Sequence, residues 1–199
     1  PAGPELVALG AAHLEDGVPS LEPAAARKSL MDGLAGADDG ELFLERTTSE
    51  SLGFDDGVLR AASNDVSQGF GLRAVAGEFV AYAHGGEISN AALARAAETA
   101  REAGKGRGGA LADGPPIQNK RIYDSADPTQ TPDFAAKVSV LEQIDAYLRA
   151  KDPLVAQVSG SIHAEMQAVR IIRADGREAA DFRPLVRVSI SVTVKRGDR

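Results

Sequence analysis

Two glycines in the stretch SQGFGLRAVAGEFVAYAH, residues 67–84, have the spacing of a nucleotide-binding loop. The letters GFGLRA come close to the G-x-G-x-x-G/A pattern that places a dinucleotide pyrophosphate at a helix N-terminus. That chemistry requires a helix directly after the glycines, whereas the residues here alternate, and Gly77-Glu78 marks a turn. We therefore expect a β-hairpin that turns near Gly77, with Gly69 and Gly71 as bend or bulge residues of a strand.

A second motif, HAEMQ at 163–167, contains the His-x-Glu half of the zinc deaminase signature. The other half is Pro-Cys-x-x-Cys, and the sequence contains no cysteine. His163 and Glu165 share one face of an expected strand. A polar pair between neighbouring strands is therefore favoured over a metal site.

The three histidines, His13, His84 and His163, lie in separate expected elements. A catalytic zinc requires about three protein ligands, and no two of these histidines fall within one helical turn. The serine-rich stretch at 47–54 has no histidine nearby, and the RGD at 196–198 has the composition of a polar turn. We expect no catalytic, cofactor-binding or metal-ligating residue in this chain.

The composition limits the possible classes of protein. The chain has 199 residues, of which 43% are apolar, enough for one large or two small domains. The formal net charge of -7 argues against direct nucleic-acid binding, which needs a basic surface. There is no signal-peptide pattern and no apolar run near the roughly 20 residues of a membrane helix, so we expect no membrane association and a cytoplasmic location. Because the first residue is Pro1 and a strong strand lies almost at the end, we expect trimming at the start and a cut within a fold.

The first hundred residues alternate between helical and strand patterns. Pro23 and Gly36 bound one expected helix, and Ser89 and Gly104 bound another as N-cap and stop. The fold class is α+β, with an N-terminal domain at 1–104 in which helices pack on a four-stranded, mainly antiparallel sheet. Its expected helices are 4–16, 22–35 and 88–104, and its strands are 41–54, 59–67, 70–75 and 79–84.

A Gly- and Pro-rich linker is expected at 105–132, followed by residues 133–199 as the start of a second, β-rich domain that we expect to be truncated. That domain should open with a helix ended by Pro153 and continue as an antiparallel β-meander with an Asp175-Gly176 turn. The expected apolar face of this helix is Phe134, Val138, Leu141, Ile144 and Leu148. The last strand should bury one face, made of Val186, Val188, Ile190, Val192 and Val194.

Several longer stretches resemble one known family. ESLGFDDGVLRAASNDVSQGFGLRAVAGEFVAYAHGGEIS, at 50–89, resembles the N-terminal domain of the TldD/PmbA family, the so-called modulators of DNA gyrase. YDSADPTQTPDFAAKVSVLEQIDAYLRAKDPLVAQVSGS and GREAADFRPLVRVSISVTV resemble the start of its central domain. The QGFGLRAVAGE and ADFRPLVRVSISV pieces look more like the TldD branch.

The resemblance implies a zinc metallopeptidase that cleaves unfolded peptides in complex with a PmbA/TldE-like subunit or a second copy. In TldD members a His-Glu-x-x-x-His helix binds the zinc and activates water. That motif does not occur in this sequence, so no catalytic or zinc-binding residue can be assigned to it. Two functions therefore stay open: the N-terminal part of such a peptidase, or a non-catalytic binding or assembly module like the inactive partner.

Overall fold

The computed structural model describes residues 23–106, 122–123 and 126–197. The expected helix at 4–16, His13, Asp198 and most of the expected linker lie outside these residues. In the described part, three helices are interspersed with five strands. The elements are α1 (Pro23–Gly33), β1 (Asp39–Asp55), β2 (Val58–Ala76), β3 (Phe79–Gly85), α2 (Asn90–Gly104), α3 (Phe134–Lys151), β4 (Val155–Arg173) and β5 (Glu178–Val194).

The strands form one five-stranded sheet with the order β3-β2-β1-β4-β5. This confirms the α+β fold class, but the strand assignment of the N-terminal region was wrong in one respect. Residues 59–67 and 70–75 belong to a single 19-residue strand, β2. The expected break at residues 68–69 does not occur, because the extended backbone of β2 continues through Gln68 and Gly69.

The chain divides into two compact units whose segments interleave along the sequence. The first unit takes its described residues from Pro1–Arg46, Ser67–Ile122 and Gln167–Phe182, and the second from Thr47–Val66, Tyr123–Met166 and Arg183–Arg199. Strands β1, β2, β4 and β5 each contribute residues to both units. The domain bounds 1–104, 105–132 and 133–199 stay a prediction.

In the first unit, helices α1 and α2 pack together and cover one face of the strands. Alternate strand residues such as Leu42 and Leu72 meet Leu30 and Leu93 of the helices in a fully buried aliphatic cluster. The Ser89 hydroxyl accepts a 3.1 Å hydrogen bond from the backbone N–H of Ala92, which confirms the predicted N-cap.

In the second unit, Leu141 of α3 is buried against Leu52, Phe54 and Ile162 of the strands. The predicted helix face is therefore correct at its centre. It is wrong at Phe134, which is 45% exposed.

The residues buried beside Leu141 on α3 are Lys137 and Asp145, two polar side chains that the apolar pattern excluded. Both have charged partners within the unit, at Glu50 and Arg149 respectively. Burial of a charge is tolerated when it is paired, and an apolar pattern in the sequence cannot identify such a pair.

The prediction of a buried face on β5 was wrong. Strand β5 lies at the edge of the sheet, and Val186, Val188, Ile190, Val192 and Val194 are 40–62% exposed. Leu141 of α3 and Ile190 of this row both approach Gly160, where an added Cβ would lie 3.0 Å and 3.2 Å from their side chains. The alternating pattern correctly identified a strand, but the other side chains needed to cover that face are missing from the described residues.

Within the described part of the chain, no helix combines the length and hydropathy needed to cross a membrane.

Candidate functional site

The stretch 67–84 forms the predicted hairpin. Strands β2 and β3 are antiparallel in a continuous register that pairs Gly71 with His84 and Arg73 with Tyr82. The turn contains Gly77 at a φ of 60°, a conformation that favours glycine. The backbone after Gly71 continues as strand β2 and no helix begins there, so the stretch lacks the geometry of a dinucleotide loop, as the sequence context predicted.

The glycines of this hairpin allow a close approach between strands. A Cβ built on Gly71 would lie 2.5 Å from the hydroxyl oxygen of Tyr82, because the tyrosine ring lies across β2 at this point. A Cβ on Gly69 would lie 3.1 Å from the backbone oxygen of Gly85. The unbroken pairing at Gly71 indicates that its role is close approach rather than a bulge.

These glycines form the floor of a groove of about 410 Å³ within the first unit. Because strand side chains alternate, the groove lies on the face opposite the one that Leu42, Leu72 and Ala81 turn toward the helices. Side chains of strand β1 form one wall of the groove, and side chains of strand β3 form the other. The residues that define the groove are Phe43 and Glu45 of β1, Gly69 and Gly71 of β2, and Tyr82 and His84 of β3.

Next to the groove, the charged residues of the same unit are neutralised by one another. Arg173 donates to both carboxylate oxygens of Asp39 at 3.0 Å. Arg73, the register partner of Tyr82, donates to Glu41 at 3.1 Å. Because these guanidinium groups are already bound to carboxylates, this end of the sheet is poorly suited to hold an anionic ligand.

A further pair at the β4–β5 turn involves Asp175 and Arg177. The Arg177 guanidinium and backbone N–H donate to the Asp175 carboxylate, and these hydrogen bonds lower the pKa of Asp175 below its usual value. The pair stabilises the turn, and the Arg177 and Asp175 side chains are 33% and 31% exposed.

The two described histidines contact side chains of their own or a neighbouring strand. The Nδ1 atom of His163 lies 2.9 Å from the Ser51 hydroxyl, and its Nε2 atom lies 3.8 Å from Glu165. This confirms the predicted polar pair and supplies its cross-strand partner, Ser51. The His84 ring lies beside Tyr82 with the ring centroids 5.7 Å apart.

Zinc does not fit the residues that the structure describes. Among residues 23–106, 122–123 and 126–197, no three His, Asp or Glu side chains are grouped closely enough to hold a metal ion. We therefore derive no step of a reaction through a metal bound to this chain.

A buried ion pair that the sequence did not reveal lies in the second unit. Lys137 donates to the Glu50 carboxylate and, at 3.0 Å, to the backbone oxygen of Thr129. Thr129 donates in turn to the Asp127 carboxylate through its N–H at 2.8 Å and its hydroxyl at 2.7 Å. These bonds attach the segment before α3 to strand β1. Since 87 residues separate Lys137 from Glu50, no local pattern could have indicated the pair.

The tip of the β1–β2 hairpin is fixed by a second polar network. The Asp55 carboxylate accepts hydrogen bonds from Ser159 at 2.7 Å and Gln157 at 3.0 Å, and these bonds lower the pKa of Asp55. Arg149 donates to Asp145 and Asp56, and these hydrogen bonds raise its pKa further. The tip is thus attached both to β4 and to the end of α3.

Comparison with known proteins identifies the class. The chain matches the models of the PmbA/TldA metallopeptidase domain 1 over residues 40–104 and the PmbA/TldA metallopeptidase central domain over residues 127–199. The metalloprotease TldD homolog of Haemophilus influenzae is 33% identical over 162 residues, which cover 79% of this chain and 33% of that protein. The metalloprotease TldD homolog of Buchnera aphidicola subsp. Schizaphis graminum is 27% identical over 165 residues, which cover 81% of this chain and 34% of that protein.

Two solved structures share the fold. One is a candidate modulator of DNA gyrase from Bacteroides thetaiotaomicron, with a TM-score of 0.66 and 13% identity over 88% of this chain and 41% of that chain. The other is TldE from Thermococcus kodakarensis, with a TM-score of 0.64 and 14% identity over 88% of this chain and 40% of that chain. At these identities the likeness shows the fold alone.

The matched domains are those of a metallopeptidase family. The chain belongs to the PmbA/TldD family, which confirms the resemblance found in the sequence. It spans about a third of the length of the curated relatives that it matches.

Proposed function

We propose that this chain is the N-terminal part of a TldD-like zinc metallopeptidase that cleaves unfolded peptides. The observation that carries the proposal is the 33% identity to a metalloprotease TldD homolog, together with matches to two successive domains of the family. The zinc ligands and the catalytic residues would lie in the remainder of a longer protein. The acidic, cysteine-free composition is compatible with the cytoplasm, which we propose as its location.

The role of these residues in such a peptidase is structural support. In the second unit, the Lys137–Glu50 pair and the Asp55–Ser159 hydrogen bond hold helix α3 and the hairpin tip to the strands. Rigid elements of this kind can position catalytic residues that other parts of a protein contribute. No described residue is assigned to the reaction itself.

The exposed row on β5 supports a continuing domain. A row of apolar side chains at a sheet edge is a surface that proteins usually cover, because its burial contributes roughly 25 cal/mol per Å². The row begins at Val186 and ends at Val194. We propose that the rest of the central domain covers this row in the longer protein.

A PmbA/TldE-like subunit is the proposed partner, and a second copy of the chain is the other possibility. The similarity in fold to TldE supports this pairing, since two chains of one fold can form a pseudo-symmetric assembly.

The test is an assay of the complete gene product, with and without a TldE-like subunit, on an unfolded peptide carrying a fluorophore and a quencher. We expect chelator-sensitive cleavage that depends on a downstream His-Glu-x-x-x-His motif, and loss of cleavage when its glutamate is replaced by glutamine. A complete product that has no such motif and cleaves nothing, but binds the TldE-like subunit, would instead identify a non-catalytic assembly module.

A further inference from the structure

The groove on the open face of the first unit is built from three neighbouring strands. The middle strand lines the groove with residues 67–71, among which Gly69 and Gly71 carry no side chain. Adjacent strands lie about 4.8 Å apart, so the walls stand on backbones separated by roughly 10 Å. This space admits an extended side chain or a flat group that lies against the backbone. The volume of 410 Å³ falls within the range of about 300–1,000 Å³ that is typical of sites for small ligands.

The aromatic surface of the groove is accessible. Tyr82 is 64% exposed, although its ring lies across Gly71. Phe43 stands on the other side of the floor. An exposed aromatic ring beside a glycine floor offers a π-face to a ligand without any prior displacement of side chains.

The charged residues that line the groove indicate whether it would bind a positively or a negatively charged ligand. Glu45 is the one carboxylate among the described lining residues, and neither lysine nor arginine lines the groove. Glu45 has a polar interaction of its own, so a ligand would share this carboxylate. A carboxylate together with π-faces attracts cations and disfavours anions. Of the biological cations, guanidinium is the planar one that stacks on aromatic rings and is the more weakly hydrated.

We propose that this groove binds the guanidinium group of an arginine side chain carried by a peptide. The aliphatic stem would lie along the backbone at Gly69, and the guanidinium would stack on the open face of the Tyr82 ring, which itself covers Gly71, within reach of Glu45. The inference goes beyond the proposed function, because it concerns binding by this chain and requires no peptide cleavage.

The test uses ¹⁵N-labelled protein of the full 199 residues and two blocked tripeptides. One is acetyl-Gly-Arg-Gly-amide, and the other carries citrulline, which has the shape of arginine without its charge. Titration into the millimolar range should shift the backbone amide signals of Gly69, Gly71, Gly85 and Gly86 with the arginine peptide only. The variant Tyr82→Ala should weaken binding roughly three- to twentyfold, the range expected for a cation–π contact. Val80→Ala, an exposed position of β3 outside the groove, should leave binding unchanged.

Three results would overturn the proposal. They are equal shifts with both peptides, no shifts at these glycines, and shifts confined to the acidic residues Asp39 and Glu41. If Tyr82→Ala alters the whole spectrum, the comparison of the two peptides on the unmodified chain still tests whether the groove binds the guanidinium group. Glu45→Gln provides a second variant, because glutamine keeps the shape of the glutamate side chain without its charge.

Discussion

Lys137 and Glu50 form an ion pair in the interior of the second unit, where their side chains are 4% and 6% exposed. The lysine has a further acceptor in the backbone oxygen of Thr129. Both charges are therefore removed from water, and each depends on the other for compensation. This mutual dependence makes the pair sensitive to substitution of either partner.

We predict that Lys137→Met or Glu50→Leu alone destabilises the protein by about 3–5 kcal/mol, because each leaves an uncompensated buried charge. The double variant Lys137→Met/Glu50→Leu should recover much of this loss, because no charge remains buried. Urea denaturation of the four proteins gives the coupling energy. Additive losses in the double variant would contradict the account.

Two glycines provide a matched pair for a steric prediction. A Cβ on Gly40 would clash with the Leu34 side chain and lie 2.5 Å from the backbone oxygen of Arg73, whereas a Cβ on Gly71 meets only the side-chain end of Tyr82. We expect Gly40→Ala to cost about 2 kcal/mol or more and Gly71→Ala clearly less. In a Tyr82→Ala background, Gly71→Ala should stabilise by up to about 1 kcal/mol, since a β-strand accommodates alanine and the unfolded chain loses entropy.

Thermal or urea unfolding of these alanine variants measures the differences. An equal cost at both glycines, or no rescue of Gly71→Ala by Tyr82→Ala, would show that the ring does not occupy the space above Gly71.

The hydrogen bonds at the hairpin tip predict a pH dependence. The pKa of Asp55 is lowered from its ordinary value of 3.8 by the donors Ser159 and Gln157, so the ionised form is favoured in the folded state. Its contribution to stability is present above pH 3.8 and is lost as the pH falls through the lower folded pKa. Asp55→Asn should therefore be less stable than the unmodified protein near neutrality, and the difference should shrink in acid.

Urea midpoints of the unmodified protein and Asp55→Asn, measured from about pH 7 down to about pH 3, test whether their difference in stability shrinks in acid. Asp65→Asn, at an exposed position of β2, is the matched control and should follow the unmodified protein throughout. A difference for Asp55→Asn that grows in acid would refute the assignment.

The uncovered row on β5 predicts self-association of this chain. Edge strands with exposed apolar side chains recruit other strands or apolar surfaces. We expect the sedimentation coefficient to rise with concentration, and Val192→Lys/Val194→Lys to prevent the rise. Ser191→Lys/Thr193→Lys places the same charges at alternate positions and should have a smaller effect if the valine face is the contact. A chain that stays monomeric at all concentrations would exclude this surface as a contact.

Local patterns in the sequence predicted most elements because local physics determines them. The Ser89 cap, the glycine turn at Gly77 and the alternation in β5 each depend on residues within a few positions. The local patterns failed to predict burial or exposure where a residue distant in the sequence determines it. Lys137 is buried because Glu50 lies on a strand far away in sequence, and Val188 is exposed because nothing described covers it.

The candidate groove was only partly predictable. The glycine spacing singled out Gly69 and Gly71, and their context correctly excluded a nucleotide loop. The walls could not be predicted, because Phe43 and Tyr82 reach the glycines only through strand order and register. An aromatic residue alternating with histidine at 82–84 is too short a signal to indicate a binding surface.

The order of the strands has a consequence for synthesis on the ribosome. Strand β1 is central in the sheet, yet β4, its neighbour on one side, begins at Val155, 100 residues after β1 ends at Asp55. Strand β3 ends at Gly85, 70 residues before Val155, so at roughly 5–20 residues per second β1, β2 and β3 emerge and can pair about 4–14 seconds before β4 begins. During that interval the nascent chain exposes an open hydrogen-bonding edge along β1. That edge is a natural target for cellular chaperones, and the efficiency of folding in the cell will depend on how long translation leaves it unpaired.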